Sequence, residues 1–332
     1  MNAKKIRVAV VGVGEFGRNH VRVWRDIEGA ELAGIVDTNA ARAERIAAEF
    51  GTRVFRDVNA LSVERVDAVS LAVPTREHAR VGCALLEAGF DVLVEKPMAA
   101  SLDEADRLIA SAERAGRILQ IGHVERFNPA VTAAQAILSR PLFFEVHRLG
   151  IFTPRSLDID VVYDVMIHDL DILLSFVGAP VADLKAVGIP VVTGKVDIAH
   201  ARIEFSTGTV ANVTASRVST ERVRKMRFFQ EHEYISLDFT RQDILRVRVE
   251  QGSLRPGIDA PKIDFEKLPA EPVEPLRAEL AAFLESIRTR KAPIVDGAAG
   301  RRALELADRV MAGILDHARR VQLGSFTPLE VP

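Results

Sequence analysis

Several things are scarce in this sequence. It holds one cysteine, Cys83, which excludes a disulfide framework and a cysteine-based zinc site. In its Ala/Leu-rich helical stretch that thiol reads as core filler. Purely apolar runs are short, such as Val8 to Val11, and fall far below a membrane span. Charge of one sign is not in excess. Lys plus Arg is 44 against 46 for Asp plus Glu, which leaves no electrostatic footprint for nucleic acid. Repeats and low-complexity tracts are absent. The start, basic and then apolar, looks like the beginning of a signal peptide. Glycines interrupt it, however, no A-x-A cleavage site follows, and Glu15 comes at once. The expectation is a cytoplasmic protein without membrane or nucleic-acid partners.

What is present fills two domains. The chain has 332 residues, 48% of them apolar, enough for two cores. Its first third alternates β-branched runs with helical patterns: strands at 6–11, 30–36, 68–73, 91–94 and 119–122, helices at 16–27, 40–50, 78–88 and 102–115. Strands separated by helices need crossover connections, hence a doubly wound parallel sheet with helices on both faces. After Gly122 the pattern changes. A strand at 143–148 and an apolar helix at 164–176 precede strand after strand from about 182, including alternating runs at 196–205 and 245–249. Residues 251–275, rich in Pro and charge, read as a surface loop. Two helices, at 276–287 and 297–318, close the chain. The α/β reading is a Rossmann domain over 1–122 and an α+β domain with a large, mostly antiparallel open sheet over 123–332.

Gly12-Val-Gly14-Glu-Phe-Gly17 follows the first strand and opens the first helix, the context that a dinucleotide fingerprint requires. Gly12 permits the tight turn, a side chain at Gly14 would block a pyrophosphate, and Gly17 allows close packing. The phosphates then sit on the helix N-terminus, where free N–H groups favour an anion. Asp37 ends the second strand. Its carboxylate suits the ribose hydroxyls and repels a 2′-phosphate, which predicts NAD rather than NADP. Ligands of such sheets lie outside the carboxyl ends of the strands, beside Pro74-Thr75 and Glu95-Lys96-Pro97. The cofactor set is therefore Gly12, Gly14, Glu15, Phe16, Gly17, Asp37, Pro74, Thr75, His78, Glu95 and Lys96.

Two features suit proton transfer. Lys96 lies just past an apolar strand end, where partial burial lowers a lysine's pKa towards a useful range. The second is a polar stripe on the otherwise apolar helix 163–176. In a regular α-helix Asp164, His168 and Asp171 fall within ~60° of one another, while Asp169 falls elsewhere. An aspartate there can orient the imidazole. A buried core histidine and a metal cluster are the alternatives. Beyond the helix, only His123 and His147 are at hand as further imidazole ligands, so no metal is expected. Arg126, Arg148 and Arg155, or a second basic group of Arg217, Arg222, Arg224, Lys225 and Arg227, could hold a substrate phosphate by charge-assisted bonds.

Taken together, Gly12–Gly17, Val73-Pro-Thr75 with His78, Glu95-Lys96-Pro97 and Asp164-x-x-x-His168 resemble the Gfo/Idh/MocA family of sugar and polyol dehydrogenases, along most of the chain. The resemblance implies that Lys96 and His168 flank the reacting carbinol, with Asp164 beside His168 and either Lys96 or His168 as base. It adds Arg126, Asn128 and Arg155 to Lys96, Asp164 and His168 as substrate contacts. It also implies a homo-oligomer, dimer or tetramer, formed through the open sheet. Gly122-His-Val-Glu-Arg-Phe-Asn-Pro129 and Arg155-Ser-Leu-Asp-Ile-Asp160 look most like the branch containing UDP-N-acetylglucosamine 3-dehydrogenase, which oxidises the sugar C3 hydroxyl before amination for lipid A synthesis. A polyol or inositol dehydrogenase and a non-catalytic NAD-binding regulator are the rival readings. The role of Asp171 stays open.

Overall fold

The structure, a computed structural model, describes residues 5–153, 159–249, 262–269 and 272–323. Packing divides the chain into two compact units: Met1–Phe127 with Glu274–Leu304, and Asn128–Val273 with Glu305–Pro332.

The first unit begins β1 (Ile6–Val11), α1 (Glu15–Arg25), β2 (Ala30–Val36), α2 (Ala40–Phe50), α3 (Ala60–Val63), β3 (Ala68–Leu71), α4 (Thr75–Glu87), β4 (Asp91–Glu95), α5 (Leu102–Ala115) and β5 (Leu119–Gly122). The five strands are parallel, in the order β2-β1-β3-β4-β5. The chain leaves β1 for β2 on one side and then crosses to β3 on the other, so the crevice at the carboxyl end of β1, next to β3, is the switch point at which ligands of doubly wound sheets bind. Local chemistry sets the helix ends. Asn39 caps α2 by accepting from the Arg42 N–H at 2.9 Å. Ser101 caps α5, and Glu104 reaches back to the Ala100 N–H, as in a capping box. Gly51 and Gly116, at φ +67° and +60°, take the left-handed C-cap positions that a side chain would resist.

The second unit contains α6 (Pro129–Ile137), β6 (Phe143–Leu149), α7 (Ile167–Val177), β7 (Val181–Ile189), β8 (Ile198–Phe205), β9 (Val210–Ser216), β10 (Val223–Gln230), β11 (Glu233–Asp238), β12 (Asp243–Val249) and β13 (Ile263–Leu268). Its eight-stranded sheet runs β13-β12-β11-β10-β6-β9-β8-β7 and is antiparallel except where β6 meets β9. One face alternates into the core: Phe144, Val146, Met226, Phe228, Ile235 and Leu237 are all fully buried. α7 packs on it through Phe176, which contacts the Phe144 and Phe228 rings at 6.4 and 6.1 Å.

α8 (Pro275–Thr289) then returns to the first unit, and α9 (Gly297–Arg320) closes the described chain. α8 lies on α1: Phe283 meets Trp24 edge-on at 6.5 Å, within a core that includes Leu280, Leu284 and Ile287. A boundary drawn at 122/123 does not anticipate this return. Two expectations need correction. Residues 251–275 are not all loop, because Ile263–Leu268 is an edge strand, whose alternation of exposed and half-buried positions is masked by charge. The helix expected over 164–176 is not uniform, because Val162–Met166 form a π-turn in which the Ile167 N–H reaches back five residues to the Val162 carbonyl.

One buried ion pair ties α7 to the sheet. Arg148 of β6 donates to both oxygens of Asp169 at 2.8 and 2.7 Å, with the side chains 5% and 0% exposed. The guanidinium also lies 4.8 Å from the Phe239 ring centre. Asp169→Ala should cost about 3–5 kcal/mol, because it leaves a buried guanidinium without its carboxylate. Replacing both partners with Met and Leu should recover most of that loss. Urea unfolding of the two variants checks this.

Candidate active site

The loop after β1 supplies the nucleotide cradle. Gly12 has φ +85°, and a Cβ there would lie 2.7 Å from the Ala72 carbonyl oxygen, so the β1 and β3 loops touch only because it is glycine. A Cβ at Gly17 would lie 1.8 Å from the Gly12 carbonyl oxygen. Gly17 thus packs the helix against its own entry loop. A Cβ at Gly14 meets nothing within 4 Å. It would project into open space at the start of α1, the volume that a pyrophosphate needs, and the residues present fit the dinucleotide that the fingerprint predicts.

A cleft of about 760 Å³ opens there. Gly12, Gly14, Glu15, Phe16, Asp37 and Pro74 line it, and Phe16 is 44% exposed. Gly17, Thr75, His78, Glu95 and Lys96 of the expected set do not line it. Asp37 is held tightly. Its Oδ2 accepts from the Val13 N–H at 2.8 Å and from Arg42 Nε at 3.1 Å. Its Oδ1 accepts from the Asn39 N–H and from Arg42, both at 2.8 Å. Burial pushes the carboxyl's pKa up, but Arg42 and the two backbone donors outweigh it and hold the group below its ordinary value. The sequence does not show that Arg42, five residues on, turns back to pair with Asp37.

The Glu95-Lys96-Pro97 turn stands at the end of β4, the strand next to β3. Glu95 Oε1 is 2.9 Å from Nε2 of His20, a residue of α1 that is 1% exposed. Burial raises the Glu95 pKa, but His20, Lys96 and His78 together bring it below the ordinary value. His78 is likewise 1% exposed, with Nδ1 2.9 Å from the Pro97 carbonyl and Nε2 2.9 Å from the Val73 carbonyl. Burial lowers its pKa against the pull of those two oxygens. The imidazole sits between two strand-end loops, and as a neutral ring it donates to one of the two carbonyls only. Sequence reasoning missed His20; its only signal is its place one turn beyond Gly17 on the buried side of α1.

In the second unit the polar stripe divides by depth. Asp164, in the π-turn, and His168, at the start of α7, are half-buried. Asp171 is 2% exposed and lies inside. The extra residue in the π-turn breaks the uniform 100° step on which the ~60° stripe rests. Tyr163 next door donates to Asp308 of α9 at 2.7 Å, and burial and that carboxylate raise its pKa so that it stays a donor.

The expected phosphate holders scatter. Arg148 is engaged with Asp169. Arg217 is 8% exposed and lies 3.9 Å from Asp197. The pleat of β10 separates Arg224 from Lys225 and Arg227, so the second basic group is not one cluster. Arg126 is half-buried in a 3-10 turn, Val124–Phe127. Asn128 is buried and caps α6, accepting from the Ala130 N–H at 3.1 Å and donating to the Phe239 carbonyl at 3.0 Å. Both ends of its amide thus make contacts within the fold. Arg155 lies outside the described residues. Among the described residues no group of three or more His, Cys, Asp or Glu is placed to hold a metal, and no helix is long and apolar enough to cross a membrane.

Comparison with known proteins agrees with this architecture. Residues 6–123 match the oxidoreductase family with an NAD-binding Rossmann fold, and residues 130–254 match the GFO/IDH/MocA C-terminal domain. The chain belongs to the Gfo/Idh/MocA oxidoreductase family. Within that family it is 41% identical over 93% of its length to UDP-N-acetylglucosamine 3-dehydrogenase of Acidithiobacillus ferrooxidans, covering 97% of that protein. A solved structure of that enzyme superposes with a TM-score of 0.86 at 40% identity, over 94% of this chain and 98% of the other. Inositol 2-dehydrogenase 4 of Saccharopolyspora erythraea is 34% identical, over 52% of this chain and 54% of its own. As a member of the family the chain is an NAD-binding oxidoreductase.

The cradle makes a separable prediction. Gly14→Ala should leave the melting temperature near that of the parent and weaken NADH binding about tenfold, ~1.4 kcal/mol. Gly17→Ala should lower stability by about 1–3 kcal/mol through overpacking. Thermal melts together with NADH fluorescence titrations distinguish the two.

Proposed function

We propose that the protein oxidises a hydroxyl of a nucleotide sugar to a ketone, with UDP-N-acetylglucosamine oxidised at C3, using NAD. The observation that carries this is the near full-length match to an enzyme of that name, covering 93% of one chain and 97% of the other. Bound NAD supplies the hydride acceptor. The chain's residues hold it: the Gly12–Gly17 loop at the phosphates and Asp37 at the ribose. Lys96 or His168 takes the hydroxyl proton, and Asp164 sets the imidazole's orientation. The π-turn ahead of His168 supports a chemical role for that segment, since such turns concentrate at functional sites. Arg126 and Arg155, which the family resemblance adds, or Arg224 of the second basic group, meets the substrate's diphosphate. A second copy of the chain covers the outer face of the eight-stranded sheet, where Phe143, Phe229 and Tyr234 form a continuous aromatic row at 5.7 and 5.1 Å spacing.

Following NADH formation across UDP-sugars and free polyols tests the substrate. Turnover on UDP-N-acetylglucosamine is expected. Turnover on inositols alone would transfer the reading to the polyol branch, and none on any carbinol would favour a regulator. Lys96→Ala and His168→Ala should each lower kcat by at least 100-fold with NADH affinity unchanged, a loss within the range for proton-transfer groups. Arg224→Ala should raise KM for the UDP-sugar and leave kcat alone. Sedimentation should give a dimer or tetramer, and a monomer at micromolar concentration would remove the sheet from the proposal.

A further inference from the structure

The turn that presents Lys96 is gripped on both sides by imidazoles. The residue before it, Glu95, meets His20 Nε2 at 2.9 Å. The residue after it, Pro97, turns its carbonyl to His78 Nδ1 at 2.9 Å. Both rings are 1% exposed, so neither is a solvent-side ornament that water could replace. The sequence leaves space for this arrangement. A Cβ at Gly122, which pairs with Glu95 across the sheet, would lie 2.9 Å from Glu95 Oε1 and push the carboxylate off His20.

The two rings come from separate helices, and both helices begin at the dinucleotide cleft. α1 starts immediately after Gly14 and α4 immediately after Pro74, and both Gly14 and Pro74 line that cleft. His20 lies in the second turn of α1 and His78 in the first turn of α4. His78 Nε2 also lies 2.9 Å from the Val73 carbonyl in the loop before α4, and a neutral ring donates to one of the two carbonyls at a time. Each helix thus has its N-terminus at the cofactor and an imidazole on the Lys96 turn, with the rigidity of a helix between them.

We propose that His20 and His78 are positioning residues that set the Lys96 turn from both sides and tie its placement to the two helix N-termini lining the cofactor cleft. This rests on the proton-handling role given to Lys96 above. The rings touch the flanking residues, Glu95 and Pro97, so they act through the turn. Loss of a ring should therefore harm turnover while leaving the cradle at Gly14 intact.

The test compares His20→Leu, which removes the donor to Glu95, with His20→Gln, which keeps an N–H in that direction. His20→Leu should lower kcat at least 30-fold with the NADH dissociation constant within threefold of the parent, and His20→Gln should return kcat to within about fivefold. The reactivity of Lys96 towards acetic anhydride, read by mass spectrometry against exposed Lys185, should change in His20→Leu and revert in His20→Gln. A merely structural histidine would lower the melting temperature in both variants without this difference between them. Unchanged kcat and labelling in folded His20→Leu, or NADH affinity falling in step with kcat, overturns the proposal. If His20→Leu does not fold, His78→Asn is judged by the same outcomes. The labelling needs no substrate. A parent enzyme inactive on UDP-sugars therefore sinks the proposed function, while the labelling still decides the brace.

Discussion

A carboxylate withdrawn from water costs several kcal/mol unless donors meet it, and in this protein such carboxylates fix the loops. Asp37 draws the Val13 and Asn39 N–H groups and Arg42 around itself. Asp197 gathers the Val191, Val192 and Thr193 N–H groups at 2.7–2.8 Å, closing the turn between β7 and β8. Glu95 and Asp169 bind across elements, to α1 and to β6. Backbone that would otherwise wander at strand ends is thus tied to a buried charge, and the surfaces left for ligands are correspondingly well defined.

The two units repeat one local arrangement. Lys96 follows a buried carboxylate held by His20, and His168 precedes a buried carboxylate held by Arg148. In each case the candidate proton-handling side chain is half-buried while its sequence neighbour is held by a buried partner, His20 or Arg148. A side chain poised at a surface gains precision when the backbone beside it cannot shift, which is what pre-organisation demands of a reactive group.

Much of the fold was legible because periodicity reports which face is buried. β1, β2, α2, α5 and β5 fall where their β-branched runs or helical pattern placed them, and the glycine fingerprint stands at the switch point it implies. Periodicity does not report partners. Arg148 and Arg217 read as free cations because the carboxylates that hold them lie 21 and 20 residues away, on other elements. Asn128, expected as a substrate contact, also caps α6, a use of its amide that the sequence pattern does not show. The π-turn was invisible, since one extra residue barely disturbs an apolar pattern, and β13 was hidden by charges on an edge strand that needs only one covered face. The helix α8 was found, but nothing in its own residues says which core receives Phe283.

One feature at the ribose end bears on redesign. Nicotinamide enzymes are often retuned from one dinucleotide to the other by exchanging the acid at the end of the second strand. Here that acid also moors the glycine turn through Val13 and the start of α2 through Asn39. Exchanging it would loosen the seat as well as alter its selectivity. Thr38, which lines the same recess, is exposed and offers the gentler handle for an engineer.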